Sequence, residues 1–307
     1  MKVITFAEIN NLNITPQECV NWARDAIIHK NDFVLPPKTS IKFNNNIFFN
    51  TMPSMLPNYD SFGIKLVSRF PERAPSLKAD ILLYKASTGD LLAFMDGTWI
   101  TTWRTGAVAA ITIDTLQSST AETYSFVGLG NTARSTLLCL NALNNSKELN
   151  VQLFAYKNQH EEFIKRFSSF KNIHFTVFSD INEMFKQSDV IISCITSTNS
   201  VLADESIFKA GTLVVPVHTR GFQNCDLTFD RIFCDDIGHI KDFNYFNQYK
   251  SVSEMTDVLN DSSFSRNDSE RILAYNIGVS TQDIFFAKKI YDNISDEETR
   301  LNTKFWV

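Results

Sequence analysis

A chain of 307 residues, 44% hydrophobic and 21% charged, has the composition of an ordinary globular protein and the length for two domains. Its net charge of −5, without a basic stripe, argues against a general nucleic-acid binder, and no apolar run is long enough to span a membrane. Five scattered cysteines (Cys19, Cys139, Cys194, Cys225, Cys234) without a CxxC pair fit free thiols in a reducing cytoplasm; the histidines lack metal-ligand spacing, so no metal site is expected, and no Gly-x-Ser-x-Gly elbow marks a serine hydrolase.

Residues 1–8 are too mixed for a signal peptide and read as the start of a strand. Thr15-Pro16-Gln17-Glu18 is a capping box with proline at the first helical position, and predicts a helix to about His29 whose Val20, Trp22, Ala23, Ala26 and Ile27 serve the core. A β-rich region follows. Residues 38–43 and 47–51 flank the turn-prone Asn44-Asn45-Asn46, residues 63–68 form a short strand, and residues 80–86 and 91–95 bracket a second hairpin turn at 87–90. Pro36, Pro37, Pro53, Pro57, Pro71 and Pro75 shape its loops. A helix from Thr101 to about Leu116 carries small residues that allow close backbone packing, and the polar stretch 118–122 bridges to the next segment.

From Tyr124 the period changes. Strands are expected at 124–127, 151–156, 173–178, 190–195, 212–217 and 231–234, separated by helical or turn segments such as 161–167 and 181–186. This alternation predicts an α/β chain with a parallel, doubly wound sheet of the Rossmann type. The first turn of that region, Gly128-Leu129-Gly130-Asn131-Thr132-Ala133, has the form of a dinucleotide fingerprint. Gly128 permits the tight exit from the strand, Gly130 lets a pyrophosphate approach the backbone, and Ala133 lets the helix pack on the strand. The helix N-terminus offers N–H groups to the phosphates, with Asn131 and Thr132 in its first turn. The other reading of the pattern is a plain glycine turn. Near the end, residues 275–283 lead into a helix from 284 to 291, and the apolar 301–307 segment is expected to be tied down.

Four blocks in this order, residues 63–68, Met95 to Ala107 (with Thr101-Thr102-Trp103-Arg104-Thr105-Gly106-Ala107 as the most specific piece), Gly128-Leu129-Gly130, and Gly278-Val279-Ser280-Thr281-Gln282-Asp283, resemble the ornithine cyclodeaminase/mu-crystallin family, which includes archaeal-type alanine dehydrogenases and ketimine reductases. The resemblance runs nearly end to end. It implies a split α+β substrate and dimerisation domain, residues 1–118 plus 284–307, around a dinucleotide-binding domain, 119–283. It also implies a homodimer in which the N-terminal strands of two chains form one barrel.

The same resemblance places a carboxylate-binding arginine at Arg104, whose planar guanidinium suits a bidentate contact; the alternative is a surface arginine paired with an acid. It places a substrate-binding lysine at Lys65. A lysine facing a pocket loses solvation, so its pKa falls and it exchanges protons near neutral pH, whereas an edge-strand lysine would only blunt association. Lys38 matches a catalytic lysine of alanine-dehydrogenase-like relatives, with a solvated hairpin lysine as the alternative. Asn50 stands where some relatives carry a second basic residue. Arg220 stands where cyclodeaminases have a catalytic aspartate; a cation cannot accept a proton, so the usual ornithine cyclisation is in doubt, and Arg220 would instead bind a second acidic group or meet solvent. Gly278 is expected at the substrate and Thr105 at the cofactor. NAD enzymes place an acid after the second Rossmann strand; Lys157 there would attract a 2′-phosphate, so NADP is favoured over NAD.

These residues favour hydride transfer between a nicotinamide and the Cα–N centre of an amino acid, or of an imine formed from a 2-oxo acid. Ornithine cyclodeaminase, which starts with the same hydride step, is the first alternative. A non-catalytic, mu-crystallin-like NADP-binding protein is the second.

Overall fold

The structure, a computed structural model, describes residues 1–43, 47–144, 147–195, 201–218 and 222–294. The Asn44–Asn46 turn, Arg220 and the 301–307 segment lie outside the described residues. The first part of the chain runs β1 (Lys2–Ile4), α1 (Phe6–Asn11), α2 (Pro16–Ile28), β2 (Thr39–Lys42), β3 (Phe48–Leu56), β4 (Ser61–Arg69), β5 (Leu77–Lys85), β6 (Leu91–Asp96) and α3 (Gly97–Leu116). Next come β7 (Thr123–Val127), α4 (Asn131–Leu143), β8 (Leu149–Phe154), α5 (Gln159–Arg166), β9 (Ile173–Phe178), α6 (Ile181–Gln187), β10 (Val190–Ser193) and β11 (Leu213–Pro216). The last elements are β12 (Arg231–Cys234), β13 (Val252–Glu254), α7 (Met255–Asn260), β14 (Ile272–Tyr275) and α8 (Ser280–Asn293).

Local chemistry sets several of these boundaries. The capping box before α2 is made: the Glu18 N–H donates to Thr15 Oγ1 at 3.2 Å, and the Thr15 N–H donates back to Glu18 Oε2 at 2.8 Å. α3 begins four residues before the expected Thr101, because Asp96 Oδ1 accepts from the N–H groups of Thr98 and Trp99 at 2.9 and 3.0 Å. Arg104 therefore lies well inside the helix. α8 likewise begins at Ser280 rather than Ile284, after Gly278 at φ +87° and an extended Val279. That earlier start makes Asp283 a helical residue.

The chain divides into two compact units. One holds residues 1–18, 29–104 and 279–307. Among its described residues, one sheet has the order β1-β6-β5-β4-β3-β2, antiparallel except for the β1–β6 pair. Side chains alternate across it, so the two faces differ. Gly63, Lys65 and Val67 of β4 are buried on the face that α8 covers. The covering is tight: a Cβ at Gly63 would fall 2.5 Å from Ile284 Cδ1. The other face carries a row in register, Val3, Phe94, Leu82, Ile64 and Pro53, with Leu66, Phe49 and Ile41 beside it. Phe94 is 40% exposed and Ile41 65%, an apolar face that one chain leaves open to water.

The other unit holds residues 19–28 and 105–278. Among its described residues, one parallel sheet has the order β13-β12-β14-β11-β10-β7-β8-β9. From β7 the chain steps outward through β8 and β9, then returns to the opposite side at β10, so the order reverses between β7 and β10. The parallel, doubly wound sheet expected from the β–α alternation is present. β13 and β14 were not expected. β14, four buried residues with nothing in their alternation to mark a strand, enters between β11 and β12. α3 and α4 meet backbone to backbone at Gly106, where a Cβ would stand 2.5 Å from the Ser135 carbonyl carbon.

Candidate functional site

In the first unit, Lys65 sits at the centre of a buried charge cluster. Its β4 position pairs with Met52 on β3 and Ile81 on β5, and the side chain is 2% exposed. α8 brings Asp283, fully buried, against it: Lys65 Nζ donates to Asp283 Oδ1 at 2.9 Å. Arg104 Nε donates to the same oxygen at 2.8 Å. Two cations thus share one carboxylate oxygen, leaving one formal positive charge. Among the described residues, Asp283 Oδ2 has no hydrogen-bond partner, and neither Lys65 nor the Arg104 Nη groups have one beyond Asp283. The N–H groups that Asp283 does not use remain available in a largely buried setting, so such a cluster has the chemistry to take a carboxylate that accepts from both.

Burial is the main influence on Lys65 and lowers its pKa; Asp283 raises it and Arg104 lowers it further, with a result of about 8. An ammonium in that range is charged at neutral pH and close to releasing its proton. Asp283 belonged to a motif block, but nothing in the sequence assigned it a partner. The available signal was an acid in a helix's first turn, directly before the apolar Ile284-Phe285-Phe286. Lys38 lies just before β2, exposed, with its pKa lowered by the protein around it.

In the second unit, the glycine turn lies where β7 and β10 end side by side, at the reversal of strand order. Open α/β sheets bind their ligands outside the carboxyl ends of the strands at such a point. Gly128 has φ +81°, and a Cβ there would come within 2.8 Å of Cys194 C and Ile195 N. Gly130 is the N-cap of α4 with no side-chain cap, and a Cβ built on it meets nothing within 4 Å. Open space over an uncapped helix N-terminus fits the pyrophosphate of a dinucleotide. Asn131 is exposed and Ala133 buried; the Thr132 carbonyl accepts from the Ser135 and Thr136 hydroxyls, securing the first turn of α4.

The remaining candidates are dispersed. Thr105 is half-buried on α3. Lys157 is exposed, follows β8 and holds a left-handed backbone at φ 49°, with Nζ 5.3 Å from the Tyr156 ring centroid. The Gly278 N–H donates to Asp235 Oδ2 at 2.6 Å, so that donor serves the turn into α8. Arg220 lies outside the described residues. Besides these candidates, His218 Nε2 is 2.6 Å from Ser193 Oγ at the ends of β11 and β10. Among the described residues no group of three or more His, Cys, Asp or Glu is placed to hold a metal ion.

Asp226, in the loop after β11, is also buried. Tyr249 and Tyr275 both donate to it at 2.5 Å, and burial raises its pKa to about 6. A folded pKa above the ordinary carboxylate value contributes stability that is complete below about pH 4 and lost as pH rises through about 6. Asp226→Asn should therefore flatten the fall in unfolding free energy between pH 4 and 7, a difference on the order of 2 kcal/mol. Denaturant midpoints across that range check it; the same slope in both proteins would contradict it.

Comparison with known proteins shows the family and the fold. The family described as "Ornithine cyclodeaminase/mu-crystallin family" matches residues 2–298. A Delta(1)-pyrroline-2-carboxylate reductase of Colwellia psychrerythraea is 24% identical over 326 residues, 96% of this chain and all of the relative. The solved Delta(1)-pyrroline-2-carboxylate reductase of Thermococcus litoralis, in complex with NADH and L-proline, superposes with a TM-score of 0.85 at 21% identity, covering 95% of this chain and 97% of that one. An archaeal alanine dehydrogenase dimer with bound NAD gives 0.81 at 22% identity, covering 95% of each chain. No helix among the described residues is long and apolar enough to cross a membrane. With a match across almost its whole length, the chain belongs to the ornithine cyclodeaminase/mu-crystallin family.

Proposed function

We propose that this protein is an NAD(P)-dependent oxidoreductase acting at the Cα–N centre of an amino acid or imine, with Lys65 and Arg104 holding the substrate carboxylate. The observation that carries this reading is the buried cluster in which two cations share Asp283 and keep donors to spare. The reductase and dehydrogenase relatives support the reaction class. When bound, the nicotinamide supplies or accepts the hydride. Lys65, poised near neutral pH, exchanges a proton with the substrate nitrogen or with water, and Lys38 is the second candidate. Gly128, Gly130, Asn131, Thr132 and Ala133 form the pyrophosphate cradle, with Thr105 a further cofactor contact. The free thiols suit a cytoplasmic setting.

NADP is the favoured cofactor because Lys157 follows β8 with no acid beside it. Lys157→Asp should lower the NADPH-to-NADH ratio of kcat/KM by about tenfold, through a charge reversal worth about 1.4 kcal/mol. An unchanged ratio would remove Lys157 from the cofactor site.

The open apolar face of the first unit is read as the homodimer surface, in keeping with the dimeric alanine dehydrogenase. Phe94→Glu with Ile64→Glu places two charges in the middle of that row. Dissociation should become about 100-fold easier, by analogy with the loss of about 2–3 kcal/mol at an interface hot spot. Light scattering on the eluting protein reads the result, and a mass unchanged on dilution would exclude this face.

The test of the reaction is oxidation of NADPH and NADH across cyclic ketimines, and across 2-oxo acids with ammonia or amino acids as donors. Consumption with any of these supports the reductase reading. Ornithine conversion to proline without net consumption would replace it with cyclodeamination. Tight cofactor binding with no turnover at all would replace it with a binding role.

A further inference from the structure

Two cations buried together repel each other, and neither β4 nor α3 supplies a reason for Lys65 and Arg104 to stay close. The joining group is the Asp283 carboxylate, and it joins them through a single oxygen, at 2.9 and 2.8 Å. We propose that Asp283 is a positioning residue for the carboxylate site: it tethers Lys65 and Arg104 to one oxygen and keeps their remaining N–H groups for the incoming carboxylate. This inference rests on the assignment of Lys65 and Arg104 as carboxylate binders.

α8 is built to hold Asp283 still. Ser280 Oγ donates to the Pro53 carbonyl of β3 at 2.8 Å, and Ile284 fills the space over Gly63 of β4. These contacts lie on either side of Asp283 in sequence. The carboxylate is fully buried, and Oδ2 has no partner among the described residues, so its whole hydrogen-bonding role falls on the two cations. The formal charges are two positive and one negative. One bound carboxylate makes the cluster neutral, the state that a low-dielectric interior favours.

The groups facing Lys65 are Asp283 from α8 and Arg104 from α3, with uncharged Met52 and Ile81 on the flanking strands. Burial and Arg104 both favour the neutral amine, and Asp283 alone opposes them. Without Asp283, Lys65 should lose its proton at lower pH, and the carboxylate should lose one of its two cations with it.

The experiment is calorimetric titration of L-proline, and of acetate as the smallest carboxylate, into protein saturated with NADPH or NADH between pH 5.5 and 9.5. Wild-type protein, Asp283→Asn and Asp283→Glu are compared. Wild-type affinity should hold through neutral pH and fall above about pH 8. In Asp283→Asn the fall should begin at least about one pH unit lower. Asp283→Glu keeps the charge, so its fall should stay within about half a unit of wild type. Its longer arm should weaken binding about threefold or more at every pH.

A carboxylate that merely packs α8 would, once replaced by Asn, weaken binding equally at all pH values, and that result overturns the proposal. If Asp283→Asn gives no cooperative melt, Asp283→Glu decides: a displaced fall, or wild-type affinity throughout, overturns it. Wild-type protein that binds neither carboxylate overturns it as well. Wild-type protein that binds with the expected pH dependence but consumes no nicotinamide with any substrate removes the proposed reaction and leaves the role of Asp283 standing.

Discussion

Arg104→Ala is expected to lower kcat/KM by about two to three orders of magnitude while leaving NADPH affinity within about twofold of wild type. The magnitude follows from the charge count. Lys65 and Asp283 alone are a neutral pair, so the substrate carboxylate would meet no net positive charge and lose the guanidinium's hydrogen bonds. Truncating one partner of a buried, hydrogen-bonded charge pair formed on binding costs about 2–5 kcal/mol, and each 1.4 kcal/mol is tenfold. The cofactor should be spared because the glycine turn is built from other residues, in the other compact unit. Arg104→Lys should recover only part of the loss, since a single ammonium cannot hold Asp283 and a second carboxylate in the planar geometry of a guanidinium. Steady-state kinetics with fluorescence titration of NADPH separate the two quantities. A kcat/KM within threefold of wild type would remove Arg104 from the substrate site.

Gly128→Ala and Gly130→Ala make the second contrast. At Gly128 the backbone is left-handed, which costs an L-residue roughly 1–2 kcal/mol, and the added methyl would press on the backbone of Cys194 and Ile195 at 2.8 Å. No flexible side chain can give way there, so the ends of β7 and β10 must separate. A total of about 2–4 kcal/mol should lower Tm by roughly 5–10 °C and weaken the cofactor more than about tenfold. Gly130 has an ordinary φ and open space around it, so Gly130→Ala should leave Tm within about 2 °C. It should still weaken the cofactor about tenfold, because the methyl would occupy the approach to the helix N-terminus. Equal effects of the two variants on Tm, or no effect of Gly130→Ala on NADPH binding, would contradict the pyrophosphate assignment.

Much of this architecture follows from short-range chemistry. The capping box at Thr15, the hairpin turning at residues 87–90 and the strand–turn–helix at Gly128 are decided by residues a few positions apart, and each forms where those residues place it. The sequence also marked Lys65 and Arg104 as candidates, through the motifs that contain them. Two helix starts were misplaced for a local reason. Asp96 caps α3 from a strand end, and the Gly278 turn starts α8 early, so both caps lie ahead of the apolar run that signals the helix.

Other features depend on residues far apart in the chain. β14 is a central strand because β11 and β12 leave a place between them, which a four-residue apolar run cannot announce. Asp283 meets Lys65 across 218 positions and Arg104 across 179. Sequence by itself determined the doubly wound sheet and the glycine turn, because periodicity and turn chemistry act within a few residues, and its motif blocks carried the resemblance to the family. Tertiary structure alone decided that Lys65 and Arg104 share one carboxylate. The strength of a buried charge depends on which groups surround it in space, and α8, arriving from the far end of the chain, supplies the one that matters.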